Sequence, residues 1–410
     1  MERVLNIVHN LKGDKTIWFI VAMLGLCSIL SVYSAIGSMA YTTRDGNTEY
    51  FLLQQMLFIT LGLGFMYMAY KFNYMFYSKL APILLVITIP LLIFTIGFGV
   101  EINSARRWLT IPFIDKTFQT SDLARLALIV YIARTVSLKQ DVIKDFKSAF
   151  LPIIIPIVMV CLLIAPADLS TAVLLFTTCV LMMIIGRVSL KYIGIMIAIG
   201  MVGMILLMAI GSVFPDVVRV ETWVSRINEF LYNSEGGWQI QQAKIAIANG
   251  EWFGLGPGGS MQRDYLPYPY ADFIYAIICE EYGLIGAITI VALYLGLLHR
   301  CTVIVTKCSK TFGAVLAIGL CLNIVIQAFA NLAVSVHLVP VTGLTLPIIS
   351  MGGTSVVFTC ISFGIILSVS RYVEEYSTYE IMQEEAQVAA DESKDTKKRP
   401  KKKLKYENYY

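Results

Sequence analysis

Ten runs of roughly 20 apolar residues leave this chain few ways to fold; they lie near 17–36, 51–70, 80–99, 120–136, 149–165, 169–186, 190–213, 271–298, 311–335 and 345–370. Wound as an α-helix, a run of that length matches the hydrocarbon core of a bilayer. In lipid the backbone must also find all of its hydrogen bonds within itself, which selects helices. The composition agrees. Of 410 residues, 57% are hydrophobic and 15% charged, against about 25% charged in a soluble domain. The expected fold class is an all-α polytopic membrane protein of ten transmembrane helices.

Orientation follows from the 32 Lys and Arg residues. Placing the N-terminus inside puts 23 of them in cytoplasmic segments, nine of those in the C-terminal tail, and eight outside; Arg125 lies within the fourth span. The excess on one side sets both termini in the cytoplasm. Residues 1–16 then form a short cytoplasmic segment with no cleavable signal peptide, 17–371 the ten-helix domain, and 372–410 a basic tail expected to be disordered against anionic lipid. A large extracytoplasmic loop, 214–270, separates helices seven and eight; within it "GWQIQQAKIAIANG" has the pattern of a short amphipathic helix.

Several function classes drop out. The net charge of +4 is unevenly spread and does not indicate nucleic-acid binding. None of the eight cysteines (27, 161, 179, 279, 301, 308, 321 and 360) sits in a CxxC pair, and they read as soft core fillers. There is no GxxxxGK phosphate loop; "GLGPGG" at 254–259 lacks the lysine and the strand–helix context, so ATP bound by this chain is not its energy source.

What stands out is polarity where lipid should be. Asp122 and Arg125, three apart, can pair on one helix face, and Gln327 and Asn331, four apart, suit interhelical hydrogen bonds. The stretch "DFIYAIICEEYGLIG" (272–286) holds three carboxylates. At about 100° per residue Glu280 lies about 80° from Asp272 and Glu281 about 180°, so the three cannot share one face. Asp272 stands where the chain re-enters the bilayer. There it serves equally well as a helix cap or as a catalytic base; Glu280 and Glu281 are expected to have buried partners.

Five segments in order resemble the SEDS family (shape, elongation, division and sporulation), the FtsW/RodA proteins of bacterial cell-wall synthesis: "NSARRWLTIPFIDKTFQTSDLARLALIVYIAR" (103–134), "PADLSTA" (166–172), "GGWQIQQAKIAIANGEWFGLGPGGSMQRDYLP" (236–267), "DFIYAIICEEYGLIG" (272–286) and "IQAFANLAVSVHLVPVTGLTLPIISMGGTS" (326–355). The resemblance implies a peptidoglycan glycosyltransferase of the bacterial inner membrane that polymerises lipid II at the outer face. It implies Asp272 as the key acid. It also implies Arg106 and Arg107, with Arg226 as a further candidate, as pyrophosphate binders, and Gln119, Ser121, Asp168, Gln242, Gly353 and Ser355 as substrate-binding residues. Unless Arg106 and Arg107 bind pyrophosphate, an interfacial ion pair with Glu101 or Asp115 is the alternative use for them. A divalent cation, magnesium or manganese, is a possible helper. A monofunctional class B penicillin-binding transpeptidase and other division proteins are the implied partners.

The sequence departs from the family where "LPYPYAD" puts Tyr268 for a loop Glu and Tyr270 for a His, which shifts weight onto Asp272; Asp122, Arg125 and Ala165 are milder changes. "GLGPGGSMQRDYLP" resembles the division (FtsW-type) branch more than the elongation branch. A lipid II flippase, or a scaffold without activity, are the competing readings; no inverted repeat favours transport.

Overall fold

The structure, a computed structural model, describes residues 12–37, 47–102, 105–111, 116–213, 218–233 and 235–398. Three helices open the chain: α1 (Lys15–Ala35), α2 (Thr48–Lys71) and α3 (Tyr74–Phe98). The segment expected to be a plain outer loop instead folds as a three-stranded antiparallel sheet, β1 (Val100–Ile102), β2 (Ala105–Ile111) and β3 (Lys116–Gln119), with Trp108 opposite Gln119 and Leu109 opposite Phe118. This small sheet is an addition to an otherwise helical fold. "RRWLT" and "KTFQ" contribute β-branched and aromatic residues, Trp108, Thr110, Thr117 and Phe118, of the kind that a sheet accommodates. The chain continues as α4 (Thr120–Leu138), a π-turn at Phe146–Phe150, α5 (Leu151–Ile164), α6 (Leu169–Ile185) and α7 (Leu190–Val213). The large loop holds α8 (Val220–Tyr232) and α9 (Trp238–Asn249), and the chain closes with α10 (Ile274–Lys307), α11 (Thr311–Ser335) and α12 (Thr354–Lys398).

Eight helices are long and apolar enough to cross a membrane: α1, α2, α3, the π-turn with α5, α7, α10, α11 and the first part of α12. The apolar α6 is shorter at 17 residues. Two boundaries differ from expectation. The last span begins at Thr354 rather than near 345, because 336–353 is an irregular segment folded back among the helices. The C-terminal helix also runs on to Lys398, so the tail does not become unstructured at 372; residues 399–410, with most of the basic cluster, lie outside the described residues.

The centre of the bundle is α4, α11 and the start of α12. In α11 and α12, 72% of the most apolar window is buried, against 17% in α7. Hydropathy does not rank them by burial, since the exposed α7 is the more apolar; close contact at particular glycines marks the central helices. A Cβ on Gly319 of α11 would come within 2.7 Å of the Met182 side chain, and one on Gly364 of α12 within 2.3 Å of the Met66 carbonyl. All eight cysteines are free.

One span is not a continuous helix. Gly283 in α10 has φ 64° and ψ −158°, which breaks the helical ladder. The loop after α9 repairs the break: Leu255 and Gly256 N–H donate to the Glu280 and Glu281 carbonyls (2.9 and 3.0 Å), and Leu284 N–H donates to the Glu251 carbonyl (2.9 Å). Backbone lies on backbone here, and glycine is required: a Cβ on Gly254 (φ +79°) would sit 2.1 Å from the Glu281 carbonyl oxygen.

Candidate active site

Asp272 ends a tight turn in which the Ala271 and Asp272 N–H groups donate to the Tyr268 carbonyl (3.0 and 3.2 Å). The N-cap of α10 is Phe273, with no side-chain cap bond. The carboxylate of Asp272 is therefore not used as a cap of α10. Contrast Asp168, which caps α6 by accepting from Thr171 N–H (3.1 Å).

The 336–353 segment holds the acid in place. Asn331 Nδ2, from α11, donates both to the Asp272 carbonyl (2.8 Å) and to the Leu344 carbonyl (2.7 Å). Ser350 Oγ donates to the Ala271 carbonyl (2.6 Å), and Met351 N–H to the Tyr270 carbonyl (2.9 Å). Between them comes Gly343 (φ +70°), where a Cβ would lie 3.8 Å from Asp272 Oδ2 and 4.0 Å from Arg226 Nη1. A glycine at this point places no side chain between acid and guanidinium.

Arg226 reaches that space from α8, donating to the Val341 carbonyl (3.1 Å). The helix has three sides: Trp223, Arg226 and Phe230 face the protein, Val224, Ile227 and Leu231 form an exposed apolar stripe, and Glu221, Ser225 and Asn228 are polar and exposed. Arg107 arrives from β2. Its Nε donates to the Ala167 carbonyl (2.8 Å) and its Nη1 pairs with Asp168 at 2.9 Å, with side-chain exposures of 21% and 7%. Its neighbour Arg106 faces away and meets Glu101 across the hairpin at 3.6 Å, 55% exposed. Successive residues on a strand point to opposite faces, so the two arginines expected to act together are separated; Asp115, the other expected partner, lies outside the described residues.

The charges of this cluster are felt in their titration. Burial lifts the Asp272 carboxyl to about 6; the Arg226 and Arg107 guanidinium groups pull it back down, and Asp168 pushes it up. Burial lowers the affinity of Arg226 and of Arg219 for a proton, and repulsion from neighbouring arginines adds to it. Arg219, the N-cap residue of α8, was not singled out by the sequence, yet it belongs to the same electrostatic group. The available signal was its spacing: Arg219 and Arg226 are seven apart, two turns on one helix side. Tyr270, in the family's His position, is raised to about 12 chiefly by burial and so stays neutral.

Other sequence candidates fall elsewhere. Gln119 donates to Ser121 (2.9 Å), and its N–H reaches Thr354 Oγ1 (3.4 Å), beside Gly353 (φ +53°) and Ser355, where β3 hands over to α4 and α12 begins. This group lies on the far side of the 336–353 segment, which Gln327 fixes by donating to the Thr345 carbonyl (2.8 Å) while accepting from Arg125, itself paired with Asp122. Gln242 lines a separate cavity in the large loop. Glu280 is fully buried and accepts from Ser260 Oγ, Asn249 Nδ2 (3.3 Å), Met261 N–H (3.4 Å) and Gln262 N–H (3.2 Å). Glu281 accepts from Ser34 Oγ. Both carboxylates bind the loop to the bundle.

An apolar groove of about 620 Å³ runs between α5, α6 and α7, lined by Val158, Leu162, Phe176, Gly203 and Leu207 and reaching Ala165 and Leu169, which flank the turn gripped by Arg107. Among the described residues there is no group of three or more His, Cys, Asp or Glu that would hold a metal. Asp168 is already committed to Arg107 and to its helix cap, so the carboxylates present do not form a cation cage.

The model of a family of cell cycle proteins, FtsW/RodA/SpoVE, matches residues 14–375. The chain is 34% identical over 355 residues to a probable peptidoglycan glycosyltransferase FtsW of Nitrosococcus halophilus, covering 85% of this chain and 89% of that one. It is also 34% identical over 378 residues to the same-named protein of Geobacter sulfurreducens, covering 90% and 98%. Among solved structures it resembles a chain of a peptidoglycan synthase complex (TM-score 0.67, 22% identity, 88% and 98% covered). It also resembles the rod shape determining protein RodA of Thermus thermophilus (TM-score 0.59, 21% identity, 88% and 98% covered).

Proposed function

The chain belongs to the FtsW/RodA/SpoVE family of cell cycle proteins, and from that premise we propose that it is a multi-pass membrane peptidoglycan glycosyltransferase that polymerises lipid II, with Asp272 as its general base. The branch is the FtsW type, whose named relatives match over most of their length. Ten spans with both termini inside account for the charge distribution once α4 and α6 are counted with the eight long apolar helices. That orientation turns Asp272 and the large loop toward the cell exterior.

In the reaction, the 4-hydroxyl of one sugar attacks the anomeric carbon of a second, lipid-linked sugar. Asp272 takes the hydroxyl proton as the new C–O bond forms. The bond from the anomeric carbon to the pyrophosphate oxygen breaks, and its electron pair leaves on the polyprenyl pyrophosphate. Arg107 and Arg226, with Arg219 behind them, stabilise that developing charge; planar guanidinium groups suit phosphate oxygens. The apolar groove ending at the Arg107-bound turn suits a polyprenyl tail whose headgroup lies among the arginines. No step is routed through a metal.

The observation that carries this reading is the Asp272 carboxylate, not used as a cap and lying beside Gly343 and Arg226. Reconstituted protein supplied with lipid II tests it: wild type yields polymer and Asp272→Asn does not, while both show the same monodisperse, folded state. Polymer made at the wild-type rate by the Asn variant would overturn the assignment. The transpeptidase and division partners that the family implies are consistent with the likeness to a chain of a peptidoglycan synthase complex.

A further inference from the structure

The large loop carries a wide, open hollow of about 680 Å³ that the catalytic cluster does not use. Trp238 at the start of α9 and Tyr265 are joined by a hydrogen bond from the indole Nε1 to the Tyr265 carbonyl (3.3 Å), and each ring is well exposed, at 60% and 59%. Behind them the lining includes the buried Gln242 and Ser260, together with Gln262. Gln262 Oε1 is buried with no hydrogen-bond partner among the described residues. Closed to solvent as placed, this acceptor meets a ligand donor when the Gln262 side chain turns toward the hollow.

The chemistry of the lining narrows the ligand. It offers two broad aromatic faces and two amide side chains, while the Ser260 hydroxyl is committed to Glu280. Its only charges are Arg263, whose guanidinium is turned toward the Ser34 and Gly258 carbonyls, and the exposed Asp264. A pyrophosphate finds no concentrated positive charge here, and a lipid tail finds polar walls. A neutral polyol fits: sugar rings lay their C–H faces on aromatic rings while hydroxyl and acetamido groups meet amides. The floor is rigid, because Glu280 fixes Ser260, Met261 and Gln262 to α10. Glu280 is six residues into α10, about 9 Å along the axis from the end that starts beside Asp272.

We propose that this cavity binds the amino-sugar backbone of the glycan strand, holding it near the site between additions. The proposal rests on the glycosyltransferase reading, and it assigns to Trp238, Gln242, Gln262 and Tyr265 a role separate from the chemistry at Asp272.

The test uses the full chain in lipid nanodiscs and a soluble, peptide-free tetrasaccharide of alternating N-acetylglucosamine and N-acetylmuramic acid as the probe. Titration calorimetry should detect binding to wild type. Trp238→Ala and Gln262→Ala should weaken it at least fivefold, and Trp238→Phe, which keeps a flat ring, should largely restore it. In the polymerisation assay Trp238→Ala should give shorter strands. Trp238 is exposed and makes a single cross-loop bond, so the variant is expected to fold; thermal unfolding checks this, and the Gln262 variant provides a second route. Absence of tetrasaccharide binding to wild type, or equal binding by wild type and both Ala variants, overturns the proposal. Asp272→Asn run in parallel separates the two claims: a variant that makes no polymer yet still binds the tetrasaccharide supports both. Polymer from Asp272→Asn sinks the catalytic reading alone, and wild-type strand length with wild-type binding in Trp238→Ala sinks the cavity alone.

Discussion

Asp272 stands in the turn that leads into α10, and Glu280 two turns further along; both are carboxylates in a segment built mostly of apolar residues. Glu280 is enclosed by four donors, three of them from the 260–262 stretch and Asn249, so its charge is satisfied and its position fixed. Among the described residues Asp272 is held through its backbone, by Asn331 and by the turn, while its carboxylate lies beside Gly343 and near Arg226. What differs is where the protein spends its hydrogen bonds. Donors directed at a carboxylate make an anchor, whereas donors directed at the peptide behind it leave the carboxylate available for the proposed proton transfer.

The comparison can be broken most directly by Asp272→Asn, which removes proton transfer and should cut polymerisation by about 10²–10⁴-fold. The folded state should not suffer. Burial lifts this carboxyl from 3.8 to about 6, so the folded protein holds the proton more tightly than the unfolded chain does. The group's contribution to stability is present below about 3.8 and is lost as pH rises through about 6. The Asn variant should therefore melt no lower than wild type at pH 7. The same shift predicts a rate profile: the base works only when ionised, so polymerisation should fall roughly tenfold per pH unit below about 6. A flat profile from pH 5 to 8 would mean that another group limits the rate.

Next in size, Arg107→Ala removes two charge-assisted bonds and leaves Asp168 buried without its partner; bonds of this kind contribute about 1.5–3 kcal/mol each, so a 10- to 100-fold fall in kcat/KM is expected. Arg106→Ala serves as the comparator. It deletes an exposed ion pair worth at most about 1 kcal/mol, and activity should stay within about threefold. Equal losses from both would show that the strand does not divide their roles. The smallest effect on turnover should come from Glu280→Gln. It should reduce stability by about 1–3 kcal/mol and increase proteolysis within 255–263, while the folded fraction keeps its rate. A variant as inactive as Asp272→Asn would erase the distinction between the two acids.

The helices were legible because apolar length is a one-dimensional property, and α1, α7 and α11 lie close to where the runs predict. The separation of Arg106 from Arg107 was not, because it depends on recognising 105–111 as a strand, and two charged residues inside a short stretch obscure its alternation. Asp272 could be singled out from position alone, but the capping role could be set aside only once Phe273 proved to be the N-cap. The partners of Glu280 and Glu281 come from 18 to 31 residues earlier and from α1, distances at which no local pattern helps. The break at Gly283 was equally hidden. A glycine within an apolar run ordinarily reads as a packing site, and only the loop laid across it gives the left-handed φ its purpose.

That stitched break limits what the segment between Gly250 and Ser260 can tolerate. Surface loops ordinarily absorb extra residues with little penalty, and a glycine-rich stretch looks like the first place to try. Here the stretch is a strap of fixed length, pinned at Glu251, Leu255 and Gly256 to α10 and again at Ser260 to Glu280. One added residue would slide every attachment out of register and strand carbonyl groups of a membrane-spanning helix without donors, each costing several kcal/mol. The length of this strap should therefore be less free to vary than its side chains, the reverse of what a flexible linker permits.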